Sequence, residues 1–93
     1  MSIRPYTRLR VAPAVHFRRF GGELVVLDLS GGEYFALNEM GARIWSDLAQ
    51  GRAVSDVVEG LAQEYELDQA QASSDLEAFA DELVAKGLLV PLF

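Results

Sequence analysis

His16 is the only histidine in this 93-residue chain, and there is no cysteine to serve as a nucleophile or thiolate ligand. General acid and base catalysis needs a titrating group with a partner, but His16 sits in a strand-like run beside Arg18 and Arg19. One histidine builds neither a triad nor a metal site. The acids Asp56 with Glu59, and Asp81 with Glu82, lack the alternating ligands and central glycine of a calcium loop, and they recur at solvent-facing helical positions. Gly21-Gly22 and Gly31-Gly32 lack the lysine and spacing of a phosphate loop and fit hairpin turns instead. Trp45 and Phe79 could wall a ligand cage, yet each falls on an amphipathic stripe where aromatics pack inward, so Trp45 is assigned to the core. No enzyme activity, cofactor or metal is expected, and binding is the default.

The elements that must position a binding surface follow from the pattern. A chain of this length makes one domain with a modest stability margin, and 51% apolar with 24% charged residues is a globular composition. Residues 1–12 lack a clean period and are expected to form a flexible basic arm, leaving 13–93 as the domain. Residues 1–20 carry five arginines and no acid, so a chain of net charge −6 leaves −11 on the remainder. That acidic body repels phosphate backbones. Without a signal-like or membrane-length apolar run, and without cysteine, a cytoplasmic protein with no membrane contact is expected.

Val15 to Phe20, Leu24 to Leu29 and Glu33 to Leu37 are three strand candidates separated by paired glycines, which predicts an antiparallel meander. The period then shifts toward 3.6. Asn38 suits the N-cap of a helix carrying Gly41, Ile44, Trp45 and Leu48, with Gly51 closing it. A second helix is expected from a Ser55 cap, with Val57, Val58, Leu61, Ala62 and Tyr65 on one stripe and with Gly60 hinting at close packing. In the third, Asp68 and Gln71 suggest a capping box, Ala72, Leu76, Phe79, Ala80, Leu83 and Val84 make one face, and Lys86-Gly87-Leu88 suggests a Schellman exit. The apolar tail Leu89 to Phe93 packs down or forms a strand stub. The fold class is α+β, a three-stranded antiparallel meander followed by three helices, winged-helix-turn-helix-like.

Such a fold can bind DNA through a basic helix, but the third helix, from Gln69 to Lys86, has four acids against one lysine. No nucleic-acid partner is expected. The third strand candidate is the more informative feature, since Tyr34-Phe35-Ala36-Leu37 is apolar on both faces and has no lysine, proline or bulge to guard its open edge. An extended peptide could add there as a fourth strand. The third helix or the tail could cover it instead, or two copies could pair edge to edge, so the chain is expected to be a monomer or weak dimer.

The segments LVVLDLSGGEYFALNEMGARIW, VSDVVEGLAQEYEL and DLEAFADELVAKGLLV closely resemble the PqqD-like family, recognition elements for ribosomally made, post-translationally modified peptides. The match runs from about Val15 to Val90, and within the family the chain is most similar to the leader-peptide-binding proteins of lasso-peptide pathways. The resemblance implies that a precursor's leader segment adds antiparallel to the third strand, beside the third helix. Carried over by position, its contacts are Glu33, Tyr34, Phe35, Ala36 and Leu37 on the strand and Asp75, Leu76, Phe79, Ala80 and Leu83 on the helix. The implied partners are a leader peptidase and a macrocyclising enzyme. A relative acting with a radical enzyme would share the fold with a different partner.

Overall fold

A computed structural model describes residues 3–92. The order is β1 (Arg8–Val11), β2 (Val15–Phe20), β3 (Glu23–Asp28), β4 (Glu33–Leu37), α1 (Glu39–Ala49), α2 (Val54–Tyr65), α3 (Gln69–Ala85) and β5 (Leu89–Leu92). The meander is present: β2, β3 and β4 form an antiparallel sheet in that order, with Gly21 and Gly32 at positive φ in the two turns. The pairs Leu24 with Leu37 and Val26 with Phe35 set one sheet face, and Leu24 and Val26 are buried under α1. Side chains alternate along a strand, so Val25, Leu27 and Tyr34 fall on the opposite face. Among the described residues, no helix is long and apolar enough to cross a membrane.

The helices close over one core. Trp45 is fully buried as expected, with the Phe17 ring meeting it edge-on at 5.5 Å, and Leu48, Val57, Leu61, Leu76 and Ala80 complete the packing. Arg43 clips α1 to α2, reaching Asp47 at 3.2 Å and Glu64 at 2.6 Å. The Arg43 guanidinium donates to Glu64 and so holds its carboxyl below the usual carboxylate range.

The expected N-terminal arm is corrected by the structure. Residues 8–11 form β1, which pairs antiparallel with β5 (Arg8 with Leu92, Val11 with Leu89), while Leu9 and Ile3 are buried in the core. The apolar tail thus becomes a strand because the chain's opposite end completes it. Phe93, the last residue of that expected tail, lies outside the described residues.

The same segment explains how α2 begins. Ser55 is not its cap: Ala53 holds that position with no side-chain bond, and the Val54 and Ser55 amides donate to the Thr7 and Pro5 carbonyls at 3.0 and 2.7 Å. The orphan donors of a helix start can be satisfied by any acceptor, and here distant backbone supplies them. Tyr65, placed on the buried stripe by spacing, is substantially exposed at the end of α2.

The capping box expected for α3 is also absent. Asp68 makes no side-chain cap bond, and Gln71 turns forward to donate to Asp75 at 2.9 Å. The exit matches expectation, with Gly87 at φ +75, its amide bonded to Val84 O at 2.9 Å and the Leu88 amide to Leu83 O at 3.0 Å, the two bonds of a Schellman motif.

Gly60 reverses another expectation. A Cβ built there meets nothing within 4 Å, so no close packing explains the glycine. Gly60→Ala should stabilise the domain by about 0.5–1 kcal/mol through helix propensity, read as a higher urea midpoint at unchanged slope. A lower midpoint would contradict the open space.

Candidate functional site: the free edge of β4

Two local devices hold β4. At its start the Asp28 carboxylate accepts from the Ser30 hydroxyl at 2.9 Å and from the Ser30 and Gly31 amides at 3.1 and 3.2 Å, shaping the β3–β4 turn. The Ser30 hydroxyl bond, followed by the Gly31 amide, lowers the Asp28 pKa from its ordinary value. A depressed carboxylate stabilises the fold above its unfolded pKa of about 3.9, and that contribution fades as pH falls through the lower folded value. At the other end Asn38 accepts from the Gly41 amide at 2.8 Å and caps α1, so the strand passes directly into a helix.

One edge of β4 pairs with β3, and among the described residues its other edge has no strand partner. Beside that free edge is a cleft of about 400 Å³ whose second wall is α3 and the turn after it. Tyr34, Phe35, Ala36, Leu37, Phe79 and Leu83 line it, so six of the ten carried-over positions meet there. Phe79 is half-buried, and its ring tip lies 3.6 Å from where a Gly41 Cβ would stand. A side chain at position 41 would also sit 3.3 Å from the Leu37 Cβ, so glycine keeps this end of the cleft open.

The other four positions fall elsewhere. Glu33 begins the strand but is outside the lining, and Asp75 is exposed and occupied by Gln71. Leu76 and Ala80 are buried at 2% and 0% exposure and absent from the lining, which makes them core residues behind the wall, whereas Leu83, 3% exposed, belongs to the core and to the wall at once. Sequence reasoning missed Glu82, Lys86 and Leu88, all of which line the cleft. Helical spacing could have found two of them, because Glu82 and Lys86 follow Phe79 by three and seven residues.

A second depression of about 490 Å³ lies on the outer sheet face, lined by residues such as Phe20, Val25, Leu27 and Tyr34. It is roomier, but every lining residue comes from β2, β3 or β4, so it has neither a helical wall nor an α3 side chain. Of the two, the β4–α3 cleft is the one that joins an open backbone edge to a helix. Among the described residues, no group of histidines and acids could hold a metal ion.

The PqqD family, described as coenzyme PQQ synthesis protein D, matches residues 23–89. The chain belongs to this family. Two solved structures share the fold closely. TbiB1 in complex with the TbiA(beta) leader peptide superposes with a TM-score of 0.82 at 35% identity, over 86% of this chain and 93% of that one. A lasso peptide synthetase B1 complexed with the leader peptide gives a TM-score of 0.84 at 31% identity, over 90% of this chain and 99% of that one. Among curated proteins no significant match was found. The PqqD-family match includes β3, β4, all three helices and the start of β5, and so takes in β4, α3 and the turn that line the cleft, while it leaves β1 and β2 outside.

Proposed function

We propose that this PqqD-family domain binds the leader segment of a ribosomally synthesised precursor peptide, which adds antiparallel to β4 and lays alternate side chains into the cleft against α3. The observation that carries this reading is the unpaired edge of β4 lying directly beside a cleft walled by Phe79 and Leu83. It is supported by the two relatives of like fold, both complexes with leader peptides.

The domain acts without catalysis of its own. In the cytoplasm it holds the leader so that the attached core peptide stays at high local concentration for a leader peptidase and a macrocyclising enzyme. Two leader side chains entering the cleft contribute about 1.5–3 kcal/mol each and each backbone hydrogen bond about 1 net, against about 2–5 for ordering the leader. The favourable end of that balance, about 8–10 kcal/mol, corresponds to a dissociation constant of roughly micromolar to tens of nanomolar.

The test pairs affinity with location. A fluorescein-labelled leader of the precursor encoded beside this chain should bind in that range, and hydrogen exchange of amides in residues 33–37 should slow on binding. Tight binding with protection confined to the outer sheet face would sink the strand-addition reading.

A further inference from the structure

We infer that Lys86 is a specificity-determining residue of the cleft, selecting a carboxylate side chain on the bound strand two residues C-terminal to the apolar side chain seated by Leu37, Phe79 and Leu83. This inference rests on the strand-addition reading and adds to it a residue preference. It follows from the direction of the cleft and from where its charge sits.

Phe35 lies under Lys86, whose Nζ is 5.3 Å from the ring centroid, whereas Leu37 lies at the Phe79 end, where position 41 approaches both. β4 and α3 therefore run in opposite directions along the cleft. A strand added antiparallel to β4 runs with α3, its N-terminal part at Leu37 and Phe79 and its C-terminal part at Phe35 and Lys86. Leu37 and Phe35 share a sheet face, so the two bound side chains that reach them are separated by two residues. The upstream position meets Leu37, Phe79 and Leu83, all apolar. The downstream position meets Lys86, the one cation in the lining.

Lys86 is not used up by its present contact. An ammonium has three donors, and the recorded ion pair is a single approach to Glu82 Oε1 at 3.7 Å. Exposed i,i+4 pairs of this kind contribute about 0.3–0.5 kcal/mol and exchange readily. The Glu82 side chain is 62% exposed against 40% for Lys86, so the cation is the more enclosed of the two and the one held over Phe35. Its place at the C-cap of α3 also suits it, because a cation there is favoured by the helix carbonyls.

The test is selection of displayed random 12-residue peptides on the wild-type domain, Lys86→Gln and Lys86→Glu, with Trp45 fluorescence confirming that each variant is folded. Wild type should enrich Asp or Glu two residues after an aliphatic or aromatic anchor, and exchanging that acid for its amide should weaken binding about tenfold. Lys86→Gln should keep the anchor and lose the acidic preference, and Lys86→Glu should turn it toward Lys or Arg. Peptides that keep the anchor but have no charge bias at that position, or the same bias on all three proteins, overturn the role of Lys86 and leave strand addition standing. Failure of the wild-type domain to enrich any anchored peptide overturns the peptide-binding reading, and this inference with it.

Discussion

Deleting residues 1–12 should abolish or nearly abolish cooperative unfolding of the domain. Leu9 is fully buried and Ile3 is 5% exposed, and burial of side chains of this size contributes about 1.5–3 kcal/mol each. The deletion also removes the strand that pairs with β5 and the two carbonyls that satisfy the first amides of α2. A domain of this size has a total stability of about 5–14 kcal/mol, so these losses together approach the whole margin. Urea unfolding followed by the fluorescence of Trp45, the single tryptophan, reads the effect. The milder Leu9→Ala should cost about 2–5 kcal/mol and still fold, which separates loss of packing from loss of the entire segment. An unchanged midpoint in the truncated protein would mean that β1 is dispensable and its packing inconsequential.

Phe79→Ala should weaken leader binding by about tenfold to a hundredfold while the domain stays folded. The ring forms part of the cleft wall and is only half-buried, so its removal takes apolar contact from the bound peptide more than from the core. Leu76→Ala is the paired control: Leu76 is 2% exposed and absent from the lining, so it should lose about 2–5 kcal/mol of stability with little change in affinity among folded molecules. Fluorescence anisotropy with labelled leader, run beside denaturation of each variant, distinguishes the two residues. Full affinity in folded Phe79→Ala would remove the ring from the site.

This contrast marks the limit of reading α3 from its sequence. Leu76, Phe79, Ala80 and Leu83 share one apolar stripe, and periodicity alone gives them one role. The stripe is divided in space because one side of α3 packs into the core with α2 while the adjoining side, carrying Phe79 and Leu83, faces the gap beside β4. Lys86 was passed over for the opposite reason: as a helix-terminal cation it fits a solvated C-cap, and only the approach of Phe35 makes it part of a wall.

By itself the sequence determined the meander, the three helices, the Asn38 cap, the Schellman exit and the unguarded character of β4, because each depends on residues within a few positions of one another. Its family resemblance carried the peptide-recognition reading, resting on motifs that span nearly the whole domain. Only the tertiary structure decided that residues 8–11 are a strand, that α2 is capped by Thr7 and Pro5, and which face of α3 meets the cleft. These features join segments tens of residues apart. Local propensity does not encode such pairings, since they form where the closed core brings unsatisfied backbone and apolar surface together.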